Sequence, residues 1–174
     1  MLQRLKKLSW RVIVPWTLFV LTAAAAVTFF VLWQEKLSEE EARDEVTEVA
    51  RSFISALTNF SADTIETDAT EIRSYAVGDF EEEAETFFGG RAIEAIQEAE
   101  ASSTGEIRSL FVQSLDDDEA SIFGVVEETV ENSSLPEAQT DTLRLEVGLI
   151  ETSSGWKVNR VDVFQSPGAG LIGG

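Results

Sequence analysis

The chain has 174 residues, a formal net charge of −19, and neither cysteine nor histidine. Without those two residue types there is no disulfide, thiolate nucleophile, imidazole base or zinc site of the usual nitrogen–sulfur kind. So acidic a surface repels nucleic acid and anionic lipid headgroups, which excludes both as expected partners.

Charge is distributed unevenly along the chain. Residues 1–11 hold Arg4, Lys6, Lys7 and Arg11 and no acid, and all 32 acidic residues follow the first apolar run. That run, 12–33, reads VIVPWTLFVLTAAAAVTFFVLW and is uncharged. As a helix it would be roughly 33 Å long, enough for a hydrocarbon core. Trp10 and Trp16 sit near one end and Trp33 at the other, where aromatic rings settle at a bilayer interface. Pro15 falls in the first turn, where its missing N–H is harmless. The small-residue stretch 22–27 offers a signal-peptidase-like site, but cleavage there would leave VTFFVLW at a mature N-terminus. The segment is therefore read as an uncleaved anchor. Basic residues before it and acids after it place the N-terminus in the cytoplasm and the rest outside, as a single-pass plasma-membrane protein. The expected organisation is a basic cytoplasmic segment 1–11, a transmembrane helix 12–33, an extracytoplasmic domain 34–164 and a flexible Gly-rich tail 165–174.

Beyond the anchor, no Gly or Pro occurs before Gly78. Val46, Val49, Ala50, Phe53, Ile54 and Leu57 recur at helical spacing, and Ser38 with Glu41 fits a capping box. A second helix is predicted from Ser61 as N-cap, with Phe60 and Ile65 as a hydrophobic staple and Ile65, Ala69, Ile72 and Tyr75 or Ala76 as the buried stripe. Gly78 ends it. Asp79 with Glu82 reads as the capping box of a third helix, with Phe80, Ala84, Phe87 and Phe88 on its apolar side. Gly89 and Gly90 break the chain before a fourth helix with Ile93, Ala95 and Ile96 inward.

After Gly105 the pattern turns to strands. Segments 106–115 and 119–131 flank the acidic turn 116–118. In 140–152, Leu143, Leu145, Val147 and Leu149 alternate with Thr142, Arg144 and Glu146. In 156–164, Trp156 and Val158 share one phase and Val161 and Val163 the other, which predicts a bulge near Asn159 and Arg160. Helices followed by four antiparallel strands predict an α+β fold, with three to four helices packed on a curved four-stranded sheet.

This layout resembles the cone-shaped nuclear transport factor 2-like fold. Two stretches carry a closer resemblance, ALTNFSADTIETDATEIRSYAVGDFEEE (56–83) and SGWKVNRVDV (154–163). They are similar to the actinobacterial mammalian-cell-entry (Mce)-associated membrane proteins, which share a basic N-terminus, one membrane helix and a small extracytoplasmic domain. The resemblance implies a non-enzymatic accessory subunit of an Mce-type lipid-import complex, with Mce transporter subunits as partners. It carries over no catalytic residue.

Candidates for chemistry are weak on their own terms. Asp79 is explained as a cap, Tyr75 as a core residue with its hydroxyl at the rim, and Glu146 as an outward strand residue, while Asp162 lies past the expected bulge. No pair of acids is compelled to converge as a two-carboxylate mechanism requires. Asp116, Asp117, Asp118 and Glu119 lack the spacing of a calcium loop and read as a solvated turn. No catalytic, cofactor-binding or metal residue is assigned, and no cofactor is expected. Two alternatives stand beside the accessory-subunit reading: a lipid or small-molecule binding module using the cone as a pocket, and a scaffold component of type IV secretion or conjugation. The partners expected in common are other membrane or envelope proteins.

Overall fold

The computed structural model describes residues 29–30 and 39–164. The basic segment 1–11, the Ser38 cap and the tail 165–174 lie outside the described residues. So does the predicted membrane span 12–33, apart from Phe29 and Phe30, which are helical and exposed. Among the described residues no helix is long and apolar enough to cross a membrane. The chain divides into two units, Met1–Ala42 and Arg43–Gly174, and the second holds the sheet and its core.

Helix α1 covers 39–58. A two-residue strand β1 (Phe60–Ser61) follows, then α2 (Ile65–Tyr75), α3 (Asp79–Phe88) and α4 (Gly90–Glu98). Four long strands complete the domain: β2 (Ser102–Leu115), β3 (Glu119–Glu131), β4 (Gln139–Thr152) and β5 (Gly155–Phe164). They form one antiparallel sheet in the order β1-β2-β3-β4-β5, five-stranded rather than the predicted four.

The helical spacing of α1 puts Val46, Ala50, Phe53 and Ile54 in the core, with Val49 and Leu57 packed at its margin. Ile54 crosses the sheet at Gly124, where an added Cβ would lie 3.1 Å from its Cδ1 and 3.3 Å from Leu145 Cδ2. The missing side chain on β3 is thus what lets α1 seat against the sheet. Phe53 meets Tyr75 and Phe80 edge-on, with ring centroids 5.8 and 5.5 Å apart. Aromatic pairs of this geometry add about 1 kcal/mol beyond the area they bury.

The second helix begins later than predicted. Phe60 and Ser61 pair with Ser103 and Ser102 of β2, so Ser61 is a strand residue and the N-cap is Thr64. Backbone pairing of the linker wins over a side-chain cap there. Ile65, Ala69 and Ile72 form the buried stripe as predicted. Lys157 on β5 donates from Nζ to the Ser74 carbonyl near the end of α2 (2.8 Å), and the Val77 N–H bonds the Val158 carbonyl (2.9 Å). These contacts tie the helical layer to the last strand.

Three corrections concern α3 and α4. Asp79 is the first residue of α3 and not its cap. The N-cap is Gly78, at φ 60°, and no side-chain cap hydrogen bond forms. Phe87 points outward, 57% exposed, while Phe80 and Ala84 are buried. In α4 no residue is buried: Ile93 and Ile96 are half-covered and Ala95 is exposed.

The sheet bends at three bulges, the usual way to curve a strand. In β2, Arg108 and Gln113 are the extra residues. In β5 it is Asn159: Leu149 pairs Val158 and Gly148 pairs Arg160, so the predicted bulge is present. It returns Val161 and Val163 to the face of Trp156 and Val158, opposite Val147 and Leu145.

Candidate functional site

The sequence candidates for chemistry end up apart. Tyr75 is in the aromatic cluster with Phe53. Asp79 is exposed at the start of α3, where Glu81 and Glu82 join it in the first turn, favourably placed at the positive end of the helix dipole. The 116–119 segment is a backbone-closed turn: Asp116 N–H donates to the Glu119 carbonyl (2.8 Å) and Glu151 N–H to the Asp118 carbonyl (2.9 Å). Among the described residues no three acids gather in a geometry that would hold a metal ion.

Glu146 and Asp162 do come together, as cross-strand neighbours on the outer face of the sheet, away from the helices. Arg160 lies with both. It donates from one terminal nitrogen to Glu146 Oε1 (2.9 Å) and pairs through Nε with Asp162 Oδ2 (3.1 Å). Ser121 adds a hydrogen bond to the same Glu146 oxygen (2.8 Å). One guanidinium bridges the two carboxylates, so the cluster is an ion network in which each acid already has a partner.

A second network lies on the same face. The Arg108 guanidinium, carried by the bulge in β2, bonds Glu106 and Glu127 (2.7 Å to the latter). The hydrogen bond to Glu127 is the main cause holding Arg108 above its usual pKa. Between the two networks runs a row of aromatic rings. Phe111 pairs across to Phe123, and the Phe123 and Phe164 ring centroids are 6.2 Å apart. Phe111 is 58% exposed and Phe164 48%. Large apolar groups left in water at the centre of a polar rim mark a contact surface. Alternation along the strand identifies Arg144 and Glu146 on this face but not the aromatic row. A signal for the row exists in β3, where Ile122, Phe123, Val125 and Val126 fill both phases of the strand. An uninterrupted apolar run in a sheet covered by helices on one side leaves some of it facing out.

The interior, by contrast, is apolar. Among the described residues the buried polar ones are Thr58 and Ser103, and both are satisfied: Thr58 Oγ1 donates to the Ile54 carbonyl (2.8 Å) and Ser103 Oγ to Glu128 (2.7 Å). An open depression of about 630 Å³ lies elsewhere, near the junction of β1 with the end of α4, lined by Ser61, Asp63, Gln97 and Glu100 among others. It is polar and does not reach the aromatic cluster.

No family model matches the chain, and no curated protein matches it in sequence. Solved structures match it in fold. An IcmL-like type IV secretion system protein from Legionella pneumophila superposes with a TM-score of 0.53 at 16% identity, covering 72% of this chain and 95% of that one. CagV, a VirB8 homologue of the type IV secretion system from Helicobacter pylori, gives 0.53 at 11% identity, covering 66% and 92%. A protein from Novosphingobium aromaticivorans described as NTF2-like with a cystatin-like fold gives 0.54 at 14% identity, covering 78% and 88%. At such identities the likeness concerns architecture alone, and the architecture of this domain is the NTF2-like, cystatin-like α+β fold.

Proposed function

We propose that the chain is a non-enzymatic, membrane-anchored scaffold component of an envelope complex of the type IV secretion kind. The observation that carries this reading is the contrast between the two sides of the sheet. The helix-covered side is packed with apolar groups, and its buried polar residues are already hydrogen-bonded. The open side presents aromatic rings between two ion networks. Enzymes and small-molecule binders of this architecture need polar groups aimed into the interior, whereas a scaffold needs an outer contact surface. The fold likeness to the IcmL-like protein and to CagV supports the secretion assignment. The uncharged segment 12–33 behind a basic N-terminus supports the anchor, with the domain outside the cytoplasm. Anchoring confines the domain near its partners, so a modest interface suffices to hold them.

A second reading, an accessory subunit of an Mce-type lipid-import complex, rests on the residues of 56–83 and 154–163. One experiment separates the two. The tagged full-length chain is crosslinked in intact cells of its own host, purified in mild detergent and analysed by mass spectrometry for proteins and lipids. Type IV secretion subunits are the expected co-purifying partners. Recovery of lipid-import subunits would replace the first reading with the second. The chain alone with stoichiometric lipid would overturn both in favour of a binding module. Protease added to spheroplasts is expected to digest the domain and spare residues 1–11, and the reverse pattern would invert the proposed topology.

A further inference from the structure

Among the described residues, the outer edge of β2 is unpaired along most of its length. On that side β1 pairs with Ser102 and Ser103 only. The next outward backbone groups, on Gly105, are taken by the side chain of Asn59, whose Oδ1 accepts from the Gly105 N–H (3.2 Å) and whose Nδ2 donates to its carbonyl (3.3 Å). From Glu106 to Leu115 the strand is paired, among the described residues, with β3 alone. Its other row of donors and acceptors has no strand partner among the described residues, and Glu106, Arg108, Phe111, Gln113 and Ser114 are exposed. Natural edges are blunted by bulges and charges, and this one has bulges at Arg108 and Gln113. Between them, however, residues 109–112 keep an unbroken register with β3, and Phe111 in that run is 58% exposed. The edge is blunted at both ends and regular in the middle.

The ends differ in charge. Beyond Leu115 the strand enters Asp116, Asp117, Asp118 and Glu119, all exposed, whose turn is closed by backbone groups and leaves the carboxylates facing water. We infer that the β2 edge between Gly105 and Asp116 accepts an extended segment of a partner protein, added antiparallel as a further strand, with basic residues at its N-terminal end followed by alternating apolar ones. Direction follows from β1, which already occupies the far end of the same edge antiparallel to β2. A guest continuing that ladder runs in the same sense, so its first residues arrive beside 116–119. Lys or Arg there meets the acids, and an apolar side chain further on packs beside Phe111. Backbone bonds supply affinity in such strand addition, while side-chain positions supply selectivity. The inference rests on reading the domain as a partner-binding module and names the chemistry of one partner segment, whichever complex supplies it.

Amide hydrogen exchange of the full-length protein in detergent micelles tests this. The probe is the synthetic peptide Lys-Lys-Lys-Thr-Val-Thr-Val, and its control has the three lysines replaced by glutamate. The lysine peptide is expected to slow exchange in 106–115 by about tenfold at saturation, with the β5 edge unaffected. The glutamate control is expected to leave 106–115 unchanged. Asp116→Asn, Asp117→Asn and Asp118→Asn combined, and separately Phe111→Ser, are expected to weaken binding by roughly tenfold, since each removes one recognised feature. Unchanged β3 exchange in the free variants shows that they remain folded. No protection of 106–115, protection of β5 instead, or equal protection by the control would overturn the inference. Those outcomes leave the secretion-complex reading to the crosslinking experiment, which does not involve the peptide.

Discussion

The side-chain amide of Asn59 pairs with the backbone of Gly105 as a neighbouring strand would, accepting from its N–H and donating to its carbonyl. Asn59 Nδ2 also bonds the Ser55 carbonyl at 2.9 Å, so the same side chain joins the last turn of α1 to the sheet. Asn59→Ala is expected to destabilise the domain by about 1–2 kcal/mol, the loss of these three hydrogen bonds at an exposed site where water replaces part of each. Gly105→Ala is expected to cost more, about 2–3 kcal/mol, because its Cβ would fall 2.2 Å from Thr58 Oγ1 on a helix that cannot withdraw freely. Urea unfolding of the two variants checks both, and a neutral Gly105→Ala would mean that α1 is loosely seated.

The place of Asp79 inside α3 changes what its substitution does. With Gly78 as N-cap, Asp79 contributes through the helix dipole alone. Asp79→Asn and Asp79→Ala are therefore expected to behave alike, each losing about 0.5 kcal/mol. Gly78→Ala is expected to lose about 1–3 kcal/mol, since φ 60° with ψ −134° is a conformation side chains resist. A marked difference between the two Asp79 variants in thermal melting would restore a capping role.

Glu100 offers a stabilising change. It follows Ala99, the C-cap of α4, with φ 48°, while Ala101 N–H reaches back to the Ile96 carbonyl (3.0 Å) and Glu100 N–H to that of Gln97 (3.1 Å). This is the helix ending that glycine usually occupies. Glu100→Gly is expected to raise stability by about 0.5–1 kcal/mol, the relief of a left-handed residue less the entropy glycine adds to the unfolded chain. Calorimetry showing a lower melting temperature would contradict it.

The aromatic row on the outer face separates stability from association. Phe123→Ser, half-buried on the open side of β3 beside Phe164, is expected to cost about 1–2 kcal/mol, part of what a fully buried ring would lose. The same variant is expected to abolish recovery of partner proteins after crosslinking. The ion networks should matter less: Arg160→Ala is expected to change stability by less than about 1 kcal/mol, because its guanidinium is more than half exposed. A large loss of stability in Phe123→Ser would place that ring in the fold rather than in an interface.

Strands β4 and β5 were legible in the sequence nearly to the residue, because one of their faces is buried and alternation follows directly, and β3 was bounded by the acidic turn before it although its centre is apolar in both phases. The bulge at Asn159 was legible for the same reason, since the apolar phase of β5 switches there. The start of β2 was not: Ser102, Ser103 and Thr104 carry no hydrophobic signal, and their strand state comes from pairing with β1 and β3. The same long-range pairing displaced the cap from Ser61 to Thr64. The outward turn of Phe87 was invisible because helical spacing identifies a stripe but not its width. Of the candidate surface, Glu146 and Arg144 were placed by alternation, whereas the rings that neighbour them needed the register between strands to be known.

The extra residue at Asn159 has a consequence for how β5 tolerates change. Gly148 lies directly across from it, where a Cβ would stand 3.0 Å from Asn159 Oδ1 and 3.2 Å from Arg160 Cβ. Asn159 is the residue left over between the pairs Leu149–Val158 and Gly148–Arg160, so deleting it would close the ladder into regular alternation, with Val161 and Val163 still opposite Val147 and Leu145 and only the bend lost. The strand thus consists of two halves with separate duties, Trp156 and Val158 answering to the core and the stretch after Asn159 to both faces at once. One residue can be lost at this joint without changing which side chains face the core, a deletion elsewhere in β5 cannot, and single substitutions on the outer positions 160, 162 and 164 are free to drift with whatever the surface meets.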